Sequence, residues 1–211
     1  MRKLFISVVL FNIHTTVFAV NDSDVIVLIN NLASPTPSKC KTGMHPSFDL
    51  DTMPKIGMSR EQRYYKDKLI EAGTVIYPIL IRFINDDRYC YTDVNAACIE
   101  YSVGNVIRDD VLSDGIEIYS CSGYQNKCTS RKNPSGINSR PDWCKYLQSL
   151  NLTKWAENAK KSKKEDLKKA YINWCIHYEN NYGFIDNKQR AEVLAPYFAE
   201  LEKIDRLTNV K

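Results

Sequence analysis

Few residues in this 211-residue chain could carry out covalent chemistry, and they are scattered. The histidines beyond the amino-terminal leader are His45 and His177. A nucleophile needs a base within hydrogen-bond reach. His177 stands two residues from Cys175, and positions two apart on a helix point to different faces, so they form no thiol–imidazole pair. His45 with Asp49 and Asp51 lies in an irregular stretch whose spacing matches no metal-ligating motif. Asp86, Asp87, Asp109, Asp110 and Asp114 are the raw material for glycoside hydrolysis, which needs two acids facing one sugar bond. Acidic residues at turns and helix ends also serve as caps. The sequence contains no G-x-S-x-G elbow, phosphate-binding glycine loop or H-E-x-x-H pair. It therefore implies no catalytic residue, no cofactor and no metal, and leans away from an enzyme.

Cysteine is the other reactive type. Cys40, Cys90, Cys98, Cys121, Cys128, Cys144 and Cys175 are all present beyond residue 19, and in an oxidising compartment most should pair. Cys90 with Cys98 and Cys121 with Cys128 are expected as local loops, and Cys144 with Cys175 as a tie between helical segments. That leaves Cys40 odd, available for a disulfide-linked dimer; sequence alone does not fix the connectivity. None of these pairs has the tight spacing of zinc ligands.

Export is the firmest expectation. Arg2 and Lys3 form a basic start, Leu4 to Phe11 an apolar run, and Val17-Phe18-Ala19 a cleavage site, with the cut expected after Ala19. The apolar run is far shorter than the ~20 residues a bilayer span requires. No later stretch is long and apolar enough either, so the mature chain is expected to be soluble in the periplasm or outside the cell. Removing residues 1–19 lowers the formal charge from +4 to +2. Such a near-neutral balance does not suggest a nucleic-acid binder. The densest basic stretch, Lys160 to Lys169, is interrupted by Glu165 and Asp166 and fits a solvated helix face. Asn21-Asp22-Ser23 and Asn151-Leu152-Thr153 match the glycosylation acceptor pattern, which has meaning only in a eukaryotic host.

The elements that must position these residues are mainly α-helical. An extended, proline- and glycine-punctuated arm over residues 20–58 precedes a single helical domain, 59–211. Within the arm, Val25 to Ile29 fits a strand or a short helix. Ser59 with Gln62 makes a capping box for the first helix of the domain. Pro78 should kink that helix or start a new one. Ile116, Ile118 and Tyr119 suggest a short strand. Ser162 with Glu165 should cap a helix that Gly183 closes, and Pro196 should divide the last one. Gly73 through Gly104 resembles one HEAT-type helical hairpin: Pro78, Leu80, Ile81 and Ile84 on the first helix, an Asp86-Asp87 turn, then Val94, Ala97, Ile99 and Val103 on the second. The resemblance covers about 32 of 211 residues, and one hairpin cannot bury its own apolar face. The same stripe also fits ordinary helical core.

Between Cys121 and Pro141 the chain turns polar, a loop of unusual length, and such loops are commonly functional or disordered. Tyr124, Arg131, Lys132, Arg140 and Trp143 gather there the side-chain types that anchor protein interfaces. The sequence thus leads to the expectation of an exported, non-catalytic protein-binding domain, such as a periplasmic inhibitor or an immunity protein against a toxin or hydrolase. A carboxylate-dependent hydrolase and a structural envelope component are the alternatives.

Overall fold

The computed structural model describes residues 21–35, 57–93, 99–118 and 141–209. These residues are mostly helical, with one two-stranded antiparallel sheet among them. Helix α1 (Asp22–Asn30) opens where the Asn21 Oδ1 accepts the Ser23 N–H at 3.3 Å. This settles the ambiguity over Val25 to Ile29 as helix, with Val25 and Ile29 fully buried. Helix α2 (Arg60–Glu71) starts with the expected box: the Gln62 N–H donates to Ser59 Oγ at 3.1 Å, and the Ser59 N–H to Gln62 Oε1 at 2.9 Å. Gly73, at φ +71°, then admits a left-handed turn into a 3-10 segment. Pro78 lies in the first turn of a new short helix, α3 (Tyr77–Leu80), where its missing N–H costs nothing.

Gln62 does more than cap. Its Nε2 donates to the Leu32 carbonyl at 2.8 Å and the Cys90 carbonyl at 2.9 Å, joining α1, α2 and the sheet in a buried position. Gln62→Leu keeps the volume but leaves both carbonyls without this donor. The expected loss is about 3 kcal/mol, a fall of about 6–12 °C in Tm, readable by thermal melting.

Where the second helix of the HEAT-type hairpin is expected, Ile99 lies in a strand; Val94 and Ala97 lie outside the described residues. Strand β1 (Tyr89–Asp93) pairs antiparallel with β2 (Ile99–Ser102), Tyr91 opposite Tyr101 and Thr92 opposite Glu100. Cys90 and Thr92 point into the core while Tyr89, Tyr91 and Asp93 are half-buried, an alternation that only a strand produces. The Tyr91 and Tyr101 rings stack 4.7 Å apart. Preceding the hairpin, Arg88 grips the Asp86 carboxylate and donates to Asn30 Oδ1 at 2.9 Å, tying the turn to the end of α1.

After β2, Ser102 caps a helical run of three parts: α4 (Val103–Asn105), a π-helical turn (Val106–Val111) and α5 (Leu112–Gly115). Residues 116–118 form a turn rather than the expected strand, with Glu117 at φ +56°. Among the described residues four helices follow, α6 (Trp143–Gln148), α7 (Leu152–Ala159), α8 (Lys164–Tyr182) and α9 (Asn187–Asn209). Asn151 caps α7 through Oδ1, and Gly183, at φ +86°, closes α8 as expected. Ser162 does not cap α8: its hydroxyl turns back to the Asn158 carbonyl, and Lys163 holds the cap position. Pro196 does not divide α9 either. The carbonyl it leaves without a donor belongs to exposed Glu192, where solvent can satisfy it. The α8–α9 pair is tied by a buried ion pair, Lys168 Nζ to Glu200 Oε1 at 2.7 Å. None of the described helices is long and apolar enough to cross a membrane.

The core carries a connected series of rings through all three tryptophans. Tyr77 stacks on Trp155 at 5.6 Å, and Trp155 meets Trp143 at 6.1 Å. From Trp143 the series continues through Tyr146 and Tyr171 to Trp174 and Tyr178. Offset and edge-on pairs of this kind add about 1 kcal/mol each beyond the area they bury.

Candidate functional site

Chemically active side chains converge on the π-helical turn. Such turns place one extra residue in the helical ladder and are frequent at functional sites. Here the turn presents Arg108, Asp109 and Asp110 in sequence between buried Val106, Ile107 and Val111. Arg108 clasps Asp109 with two bonds, Nε to Oδ1 at 2.8 Å and Nη2 to Oδ2 at 2.7 Å. The Cys144 thiol donates to the same Oδ1 at 3.3 Å, and the Trp143 indole N–H donates to the Arg108 carbonyl at 2.7 Å. On the other flank Asp110 faces Lys66 of α2 at 4.0 Å.

The electrostatics of the cluster oppose nucleophilic chemistry. Burial pushes the Cys90 thiol up to about 12, with the charge of Asp110 adding to the shift. Burial also raises Cys144, and the Asp109 carboxylate adds to that. A thiol so raised is not the thiolate that attacks electrophiles or binds metal at neutral pH. Asp110 is itself raised, first by burial and then by the charges of Asp114 and Asp109, with Lys66 opposing. Tyr91 and Tyr101 are shifted upward for the same reasons, burial first and the nearby carboxylates next. Of the other acids of the hydrolase alternative, Asp86 is engaged structurally: Arg88 holds it below its ordinary range. His177 is exposed, its Nε2 2.8 Å from the Asn181 amide, and it faces away from buried Cys175. Among the described residues no group of three or more His, Cys, Asp or Glu side chains is arranged to hold a metal ion.

No protein-family model, curated protein or solved structure matches this chain.

Of the residues singled out in the sequence, Trp143 is described, and it belongs to the core at 8 % exposure. It follows the polar stretch 119–140 in the chain and packs inward instead of presenting its ring to solvent. Tyr124, Arg131, Lys132 and Arg140 lie outside the described residues, as do Cys40, Cys98, Cys121 and Cys128. The disulfide expected between Cys144 and Cys175 is absent; among the described residues no disulfide is formed. Helix α6 lays Trp143, Tyr146 and Leu147 on the core, which turns Cys144 aside toward Asp109. Cys90 is a buried thiol beneath the Gln62 amide, 3.6 Å from Nε2, which removes the local loop expected with Cys98. Sequence reasoning missed the π-helical turn as a meeting point. The apolar residues Val106, Ile107, Val111 and Leu112 also fit ordinary helical spacing, Ile107 and Val111 being four apart, so their pattern alone did not mark the turn.

Proposed function

We propose that the chain is an exported, non-catalytic domain that binds another protein, in the manner of an inhibitor or immunity protein neutralising a toxin or hydrolase in the periplasm. The observation that carries this reading is the burial of the residues on either side of the polar stretch 119–140. Its first foot is Ile118, 5 % exposed, whose N–H donates to the Ser113 carbonyl at 3.1 Å. Its second foot is buried Pro141 and Trp143, the latter bonded to the π-helical turn. Long loops held on a rigid scaffold are where binding residues concentrate. Residues 119–140 contain Lys127, Arg131, Lys132 and Arg140 and no acidic residue, so the complementary face on a partner is acidic. The raised thiols and the paired carboxylates around the π-helical turn favour binding over catalysis.

The test is capture by the immobilised mature chain, residues 20–211, from secreted and envelope fractions, followed by affinity measurement against the protein retained. Changing Tyr124, Arg131, Lys132 and Arg140 together to alanine is expected to weaken that affinity by at least about 30-fold, as loss of one tyrosine or arginine hot spot does. The melting temperature should not move. Full affinity in the fourfold variant would sink the loop as the binding element.

A further inference from the structure

We infer that the lysine turn between α7 and α8 is a second part of the docking face, and that it meets an acidic patch on a protein. The inference rests on the binding reading above and extends it to a surface outside the polar loop. Lys160, Lys161 and Lys163 stand within four residues of one another, all exposed, and form no ion pair with any described residue. Their neighbours differ: Lys164 lies against Glu117, Lys168 against Glu200, Lys169 against Asp205 and Lys203 against Glu200. Three like charges left uncompensated on one tight turn repel one another, and an acidic counterpart relieves that repulsion.

The turn is held in shape before anything binds. The Lys160 N–H donates to the Ala156 carbonyl, those of Lys161 and Ser162 to Asn158 and Ala159, each at 3.0 Å, and the Ser162 hydroxyl to the Asn158 carbonyl at 2.9 Å. Ala156 and Ala159 beneath it are fully buried. The Lys164–Glu117 pair sets the turn beside Ile118, the first foot of the loop.

A protein fits this surface better than a polyanion or a bilayer does. Glu157, Glu165 and Asp166 intersperse the lysines in sequence, and a uniformly negative strand or membrane would be repelled by them, whereas a protein can place complementary charges against both signs. The large exposed apolar side chains, among them Val27, Tyr64 and Phe198, all lie on other segments, so the turn carries no wedge for insertion into lipid.

The experiment compares the mature chain with K160E/K161E/K163E in the same capture, with anionic phosphatidylglycerol vesicles and duplex DNA as parallel probes. These three side chains make no side-chain bond to any described residue, so the variant should melt with the parent. The expected result is one retained protein with an acidic surface, whose association slows at least about tenfold with the variant and whose salt dependence flattens. Equal binding by the variant would overturn this inference and leave the loop reading standing. Binding to vesicles or DNA that the variant loses would overturn the assignment to a protein. A capture that retains nothing would overturn both readings.

Discussion

Gly104→Ala is expected to lower stability by about 3 kcal/mol or more, against the usual direction for a glycine inside a helix. In an exposed helix interior the same change stabilises by about 1 kcal/mol, because alanine loses less backbone entropy. Here the sign reverses for a steric reason. A Cβ at Gly104 would stand 2.6 Å from the Ile84 carbonyl oxygen and 2.9 Å from the Asp86 nitrogen, both backbone atoms that no rotamer change can move aside. The same contact is bonded, since the Gly104 N–H donates to the Asp86 carbonyl at 2.9 Å and the Val103 N–H to that of Arg88 at 2.8 Å. Relief therefore requires the start of α4 to retreat from the Asp86 turn, weakening both bonds. Overpacking of this kind costs about 1–3 kcal/mol and sometimes more, a large part of the 5–15 kcal/mol that holds a domain together. Thermal or urea unfolding of the variant reads it directly, and a Tm equal to or above the parent's would mean that the close approach is not there.

That close approach also shows which parts of the fold the sequence could reveal. Signals contained within a few residues were readable: the Ser59–Gln62 box and the left-handed Gly183 that closes a helix. Signals whose meaning depends on distant chain were misread. Ile99 fits a helical spacing, but β1 and β2 can be recognised only as a pair. The local hint was the run of strand-favouring residues, Tyr89, Tyr91, Thr92 and Tyr101. Ser162 and Glu165 have capping-box spacing, yet the Ser162 hydroxyl found the Asn158 carbonyl first. Pro196 alone favours a break, yet the apolar period continues through it from Leu194 to Ile204, and that continuity is the better guide.

The candidate site follows the same division. The acidic character of residues 109–114 and the lysine run were visible as composition. What could not be read is that Asp109 is occupied by Arg108, that Asp110 faces Lys66 from an element more than forty residues earlier, and that Cys144 faces a carboxylate instead of another cysteine. Disulfide pairing inferred from spacing assumes that nearby cysteines turn toward one another. Cys90 points inward because strand alternation directs it there, and Cys144 is turned aside by the aromatic face of its own helix.

Trp143→Ala should be the most damaging single truncation in the second half of the chain, about 4 kcal/mol or more. Burying and packing a large aromatic is worth about 3–5 kcal/mol on truncation, and Trp143 sits where the ring series branches, 5.4 Å from Tyr146, 5.5 Å from Tyr171 and 6.1 Å from Trp155. Removing it also strips the Arg108 carbonyl of the indole donor at 2.7 Å. Trp143→Phe separates the two contributions. It keeps most of the ring and loses the N–H, so it should cost about 1–2 kcal/mol, the range for one buried hydrogen bond with little repacking. Calorimetric melting of both variants gives the ordering. The indole bond has a further consequence, because it fixes the second foot of the polar loop to the π-helical turn. If binding depends on that anchoring, Trp143→Phe should weaken capture of the partner more than its modest loss of stability explains, measured at a temperature where the variant is fully folded. Capture unchanged from the parent would show that the indole steadies the core alone and that the loop residues reach a partner without it.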